Sequence, residues 1–216
     1  MTANEFTAAF NLDNERAYRN WRDWKLEHRP QSLTDLLVEV TDPERLTVAE
    51  HARLRKACHQ YNAAIYACAR IGDEKTVLRE LGRRFGLQTL DHNLGADDEG
   101  ITGLEVRQDS LHRRYIPYSN RPIHWHTDGY YNRPQRAILA MLLHCVRPAK
   151  SGGENLLLDP ELLYIRLRDH NPAYIRELSR AGNQIGAVIE ASEIDGDLLV
   201  STLITKLNLG ENMISR

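Results

Sequence analysis

The sequence lacks three features that would place it in a specialised class: a surplus of charge of one sign, a long apolar run and a leader peptide. Its net charge is −2 over 216 residues, which argues against nucleic acid or an anionic membrane surface as a partner. No stretch is apolar for the roughly 20 residues that cross a bilayer. Residues 1–29 contain no basic start followed by an apolar run. We therefore expect a cytoplasmic protein that binds neither nucleic acid nor membranes.

Cysteine is also scarce. The three cysteines, Cys58, Cys68 and Cys145, are an odd number, and their spacings match no metal-binding or redox motif. Cys58 and Cys68 fall on the apolar side of a predicted helix, and Cys145 lies in an apolar run. We expect all three to be buried, reduced thiols, because free cysteine behaves as a small hydrophobic residue.

The length and the lack of repeats or linkers predict a single domain over residues 1–216. Residues 1–30 form an N-terminal arm in which aromatic and charged residues alternate, and residues 183–216 form an atypical tail. Trp21 and Trp24 lie three apart, so a helix would place them on one face. That face either docks on another subunit or packs on its own domain, and we favour the second. A homo-oligomer is left open.

The first strong helix signal lies at Thr47 and Glu50, which have the spacing of a capping box. The apolar residues that follow recur every three or four positions and predict one buried helix face. This face consists of Leu54, Ala57, Cys58, Tyr61, Ile65 and Cys68.

Three further helices are predicted from residues that typically begin or end a helix. One is predicted over Asp73–Phe85, with Gly86 ending it. Asp159-Pro160 and Asn171-Pro172 each place a capping side chain before a first-turn proline, and Gly182 can terminate the last helix.

Short runs of β-forming residues appear from Gly103 onward. They lie at Leu104–Val106, Ile138–Val146 and Asn155–Leu158, and two more lie in the tail at Ile185–Ile189 and Leu198–Ile204. Helices followed by strands with helical insertions predict an α+β protein whose chemistry lies on a β framework.

The chemistry is concentrated at His126 and Asp128. Two residues apart on a strand, their side chains point the same way, with Cα atoms roughly 6.6–7 Å apart. A neutral imidazole and a carboxylate can then converge on one divalent ion. Together they make two-thirds of the 2-His-1-carboxylate arrangement that holds ferrous iron and leaves coordination positions open.

The residues after this pair extend the pattern. Trp125-His126-Thr127-Asp128 is followed, after a strand-like run, by Pro148 and then by Gly152-Gly153-Glu154-Asn155. In this order and separation, the two motifs resemble the taurine dioxygenase-like family of Fe(II)/2-oxoglutarate-dependent dioxygenases. The similarity covers roughly residues 46–182.

The resemblance implies a double-stranded β-helix (jelly-roll) fold with flanking helices. It also implies that His126 and Asp128 bind Fe(II), that Asn155 hydrogen-bonds the carboxylate of 2-oxoglutarate, and that the reaction is hydroxylation of an aliphatic C–H bond in a small molecule. Tyr118, Tyr130 and Asn132 would either line the substrate pocket or belong to the core and rim, and the second is favoured. His144 is expected to be a hydrogen-bonded strand residue and not a ligand.

The sequence departs from the family pattern late in the chain. That pattern includes a distal His as the third iron ligand and, shortly after it, an Arg that pairs with the far carboxylate of 2-oxoglutarate. No His follows His170, which lies at a predicted helix junction. We therefore expect a fold that is incomplete at its C-terminus, two protein ligands in place of three, and weak or absent turnover.

Two other functions stay open. His124, His126 and Asp128 resemble the start of the His-x-His-x-Asp-His motif of metallo-β-lactamases, in which zinc activates water. Gly129 stands where the last His of that motif belongs. Alternatively, the chain is a non-catalytic remnant of the dioxygenase fold, which the absent distal motif would explain.

Overall fold

The structure, a computed structural model, describes residues 3–69, 73–87, 89–90, 95–109, 115–129, 132–133, 136, 138 and 140–179. Its helices are α1 (Ala3–Phe10), α2 (Glu15–Glu27), α3 (Val48–Tyr61), α4 (Glu74–Arg84), α5 (Pro160–His170) and α6 (Pro172–Leu178), and its strands are β1 (Leu37–Glu39) and β2 (Ile65–Ala67). Short 3-10 turns lie at Leu33–Asp35 and Ile116–Tyr118. None of the helices described here is long and apolar enough to cross a membrane.

The larger core, here called the helical cluster, forms where α1 and α2 pack on α5 and α6. Trp21 of α2 is 1% exposed, and its ring lies 4.9 Å from that of Phe10 and 6.0 Å from that of Tyr164. A buried aromatic side chain removes roughly 150–250 Å² from water, so these rings dominate the packing. The prediction that the aromatic face packs within the chain is therefore confirmed for Trp21, whereas Trp24 is half-buried and stacks on His28 just after α2. The remaining buried members are Ala9, Tyr18, Leu163, Ile165, Leu167, Ile175 and Leu178.

A buried charge lies beside the helical cluster. Lys25 Nζ of α2 is 2.7 Å from Asp159 Oδ2 and 2.6 Å from Glu161 Oε2, and it donates to the Gln60 carbonyl oxygen at 3.0 Å. All three charged side chains are nearly inaccessible to water. One ammonium group therefore joins α2 to the end of α3 and to the start of α5.

The second core, here called the sheet cluster, lies between α3, α4 and a two-stranded sheet. β1 and β2 pair in parallel, with Val38 opposite Tyr66. The buried side chains of this cluster are Val38, Val40, Leu46, Leu54, Val77 and Leu81.

The predicted capping box starts α3. The Glu50 backbone N–H donates to Thr47 Oγ1 at 3.2 Å, and the Thr47 N–H donates to Glu50 Oε2 at 2.7 Å. The Thr41 N–H donates to the other carboxylate oxygen at 2.7 Å. These backbone donors stabilise the ionised form and lower the pKa of Glu50 to about 2.

The predicted face of this helix was wrong beyond Tyr61. Asn62 adopts a left-handed conformation (φ 59°) and ends α3, so Ile65 lies on β2 and not on the helix. The prediction of buried thiols was also wrong, because Cys58 and Cys145 are exposed and Cys68 is half-buried. Cys58 lies within α3 but off its buried face, which consists of Glu50, Leu54 and Ala57.

The other three helix predictions are confirmed at their starts. Asp73, Asp159 and Asn171 cap α4, α5 and α6 through side-chain oxygens that accept backbone N–H groups. Gly86 follows α4 with a φ of +77°. Gly182 lies outside the described residues.

The predicted strands are not formed among the described residues. Leu104–Val106, Asn155–Leu158 and the described part of 138–146 have no ladder partner there, and many of their side chains are exposed. Strand pairing is non-local, so a β-forming run alone does not make a strand. The runs at 185–189 and 198–204 lie outside the described residues. Helices and one small sheet agree with an α+β composition.

Candidate metal centre

The imidazole of His126 is oriented by its own chain. Its Nδ1 lies 2.7 Å from the backbone carbonyl oxygen of His124. A carbonyl oxygen only accepts hydrogen bonds, so Nδ1 carries the hydrogen and Nε2 presents a lone pair. Histidines that bind metals usually donate their second ring N–H to a carbonyl or carboxylate in this way. In the neutral imidazole, the contact with the His124 carbonyl therefore favours the tautomer that leaves Nε2 available to a metal.

Asp128 lies on the same side of the chain as that lone pair. Its Oδ1 is 3.5 Å from His126 Nε2, and the two side chains are 48% and 39% exposed. Metal–ligand bonds of about 2.0–2.2 Å at right angles separate the two ligand atoms by about 3 Å. A movement of less than an ångström would therefore let both groups bind one divalent ion while open positions face solvent.

Gly129 permits the turn that follows this pair. Its φ is +65°, and a Cβ atom there would overlap Ile138 Cγ1 and lie 2.8 Å from Asn132 Nδ2. The Asn132 N–H donates to the Gly129 carbonyl oxygen at 2.8 Å and closes the turn. Only glycine combines the left-handed backbone with this close approach, so no histidine side chain fits at position 129.

The part of the chain that the structure describes holds no group of three or more His, Cys, Asp or Glu side chains able to bind one metal ion. His124 contributes its carbonyl oxygen to the His126 ring, and its imidazole does not join the pair as a third ligand. His170 lies at the end of α5, where its ring stacks on Tyr174. Among these residues, His126 and Asp128 are therefore a pair of side chains that could bind one metal ion, without a third beside them.

The glycine motif that follows forms a turn. Gly152 and Gly153 have φ values of +71° and +83°, a consecutive left-handed pair that favours glycine at both positions. Asn155 lies just after this turn and is exposed. It forms no hydrogen bond with another described residue, and the structure records no contact between it and His126 or Asp128.

Comparison with protein families shows to which family the chain belongs. The model of the taurine catabolism dioxygenase TauD, TfdA family matches residues 29–186, well over half of the chain. The chain belongs to this family. No curated protein and no solved structure gives a significant match.

Membership of the TauD, TfdA family confirms the resemblance drawn from the two motifs and assigns the chain to a dioxygenase-type enzyme family. The matched region contains His126, Asp128, Gly152-Gly153 and Asn155, and it begins after α2. Together with the steric restriction at Gly129, the family match argues against the zinc-hydrolase alternative.

Two of the three residues for which a core or rim position was favoured over pocket lining do have structural contacts. Tyr118 is buried, with the Arg107 guanidinium 5.3 Å above its ring, as expected of a core residue. The Asn132 side chain donates to the Arg136 carbonyl oxygen at 3.0 Å and stabilises the turn after Gly129. Tyr130 lies outside the described residues.

Sequence reasoning missed a polar contact between β2 and the run that follows the metal pair. The Tyr66 hydroxyl lies 2.6 Å from His144 Nδ1, so His144 is hydrogen-bonded as predicted, although it is not on a strand. Burial raises the pKa of Tyr66 to about 12. The two residues are 78 positions apart, and the one signal in the sequence was His144 itself, a polar residue within the apolar run 140–146.

Proposed function

We propose that this chain is an Fe(II)/2-oxoglutarate-dependent dioxygenase that hydroxylates an aliphatic C–H bond of a small molecule. We further propose that the family's double-stranded β-helix is its framework. The observation that supports the metal site best is the pair of donor atoms, His126 Nε2 and Asp128 Oδ1, at 3.5 Å, with the imidazole tautomer fixed by the His124 carbonyl.

Each named group has a distinct task in this proposal. His126 Nε2 and Asp128 Oδ1 hold the metal, and the His124 carbonyl keeps the imidazole hydrogen on Nδ1. Asn155 binds the carboxylate of 2-oxoglutarate through its side-chain amide. When bound, iron would let molecular oxygen oxidise 2-oxoglutarate to succinate and carbon dioxide with one oxygen atom, while the other oxygen atom would enter the substrate C–H bond as hydroxyl. No side chain is required as acid, base or nucleophile.

Because the described residues supply two ligands and no third, we expect weak iron affinity and low turnover. Ligand number and geometry determine how tightly such a site binds ferrous iron. Turnover should therefore respond strongly to the concentration of added Fe(II).

Anaerobic titration with Fe(II) and 2-oxoglutarate tests the metal site, with the charge-transfer absorption of the ternary complex as readout. We expect Asp128→Ala to weaken binding by at least the roughly 10–100-fold that loss of an outer-sphere contact costs. His124→Ala is the matched control, because it keeps the backbone carbonyl that orients His126. Equal binding by Asp128→Ala and the unaltered chain would overturn the proposal.

The same variants separate the iron site from the zinc alternative. A zinc site that uses the His124 imidazole would lose metal in His124→Ala, whereas the iron site would keep it. Formation of succinate from 2-oxoglutarate measures turnover. Asn155→Ala should raise the concentration of 2-oxoglutarate needed for half-maximal turnover. Asn155→Thr, which keeps a hydrogen-bonding side chain, should largely restore the value of the unaltered chain.

A further inference from the structure

The hydrogen bond between Tyr66 and His144 anchors the extended run that follows the metal pair. Within the described stretch 140–146, this bond is the one hydrogen bond made to another described residue. Met141 and Leu143 on the opposite side are 57% and 52% exposed. Among the described residues, the run is therefore held on one side.

The same side of the run also touches the metal-bearing turn. Leu142 packs against the sheet cluster, and Ile138 lies so close to Gly129 that no side chain fits there. Ile138, Leu142 and His144 are all even-numbered, as expected for an extended chain with one face packed. His144 thus contacts β2, and Ile138, six positions earlier in the chain, contacts the turn beside Asp128.

We infer that Tyr66 and His144 are positioning residues for the His126–Asp128 pair, because their hydrogen bond sets the register in which Ile138 supports the Gly129 turn. This inference rests on the proposed function of that pair as a metal site.

Apolar packing alone does not fix this register. A slip by two residues keeps the same alternation of inward and outward side chains. It would place Leu142 or Val146 opposite the Tyr66 hydroxyl, and neither side chain can form the hydrogen bond. In either slipped placement the half-buried Tyr66 hydroxyl loses its partner in the protein, so the polar contact favours one placement of the run.

Three substitutions test the inference. Tyr66→Phe and His144→Leu each remove the bond, whereas His144→Asn places an amide near the former Nδ1 and can either donate to or accept from Tyr66. Tyr174→Phe is the matched control, because its ring stacks on His170 in the α5–α6 region. Circular dichroism establishes that each variant is folded.

The decisive readout is the ¹⁵N spectrum of the His126 imidazole without metal, which distinguishes its two neutral tautomers. We expect the Nδ1–H form in the unaltered chain, in His144→Asn and in Tyr174→Phe, and a mixture in Tyr66→Phe and His144→Leu. Fe(II) affinity should fall in the latter two by about 2–10-fold, the range that loss of one hydrogen bond produces.

An unchanged His126 spectrum in folded Tyr66→Phe and His144→Leu would overturn the inference, since the bond would then serve stability alone. Failure of the proposed function is a different result. The unaltered chain would then not bind Fe(II), while the metal-free spectra would still report whether Tyr66 and His144 control the ring.

Discussion

The helical cluster and residues 140–157, which follow the candidate metal pair and contain Asn155, differ in how firmly each is held. In the cluster, Trp21 and Tyr164 are almost fully buried, and helices with capped ends surround them. From Ala140 to Leu157 most side chains are exposed, and no backbone hydrogen bond to another described residue is present. Stability and candidate chemistry thus lie in different parts of the molecule, and substitutions can separate them.

The largest expected effect comes from Trp21→Ala, which should lower the free energy of unfolding by about 3–5 kcal/mol because it empties the centre of the helical cluster. Leu156→Ala is the matched truncation in the other region, at a side chain that is 75% exposed, and should change stability by less than about 0.5 kcal/mol. Chemical denaturation measures both. If Leu156→Ala lowered the free energy of unfolding by nearly as much as Trp21→Ala, residues 140–157 would be packed in solution. The proposed difference between the two regions would then be wrong.

A smaller effect is expected at two glycines that share a left-handed backbone. Gly129→Ala and Gly86→Ala should each cost about 1–2 kcal/mol for the strained φ. Only the Cβ at position 129 meets a neighbour, Ile138, whereas nothing lies within 4 Å at position 86. Gly129→Ala should therefore also weaken Fe(II) binding, and Gly86→Ala should not. Thermal denaturation and anaerobic titration provide the two measurements, and equal metal affinity would contradict the supporting role of Ile138.

The smallest expected effect is a loss of stability in acid at the N-terminal cap of α3, beside the sheet cluster. The pKa of Glu50 is lowered from 4.5 to about 2, so its stabilising contribution is present above about pH 4.5 and is lost as the pH falls toward 2. Glu50→Gln should have a lower Tm than the unaltered chain at pH 7, and the difference should shrink over that pH range. A constant difference would show that the carboxylate charge is not what stabilises the α3 cap.

The sequence predicted the local features of the fold well. Thr47, Asp73, Asp159 and Asn171 cap helices as expected, because a cap depends on residues within one helical turn. The strands at Leu37–Glu39 and Ile65–Ala67 were missed, since each has three residues and owes its identity to the other. The jelly roll stays a prediction.

The candidate site likewise has features that the sequence predicted and features that it did not. His126 and Asp128 were chosen from a spacing of two, and the structure brings their donor atoms within 3.5 Å. The Tyr66–His144 bond and the approach of Ile138 to Gly129 depend on how distant segments fold together. Spacing along the chain could not reveal them.

The buried ammonium of Lys25 has a consequence for the boundaries of the folding unit. The family match begins at residue 29, after α2, yet two carboxylates at the start of α5 face Lys25 and little water. A fragment trimmed to the matched region would lose the ammonium group between these two carboxylates and would expose the apolar face of α5 and α6 on which α1 and α2 pack. The Lys25 ammonium of α2 is thus the counterion of two carboxylates in the family-matched region. We expect the smallest expression fragment that folds to retain α1 and α2.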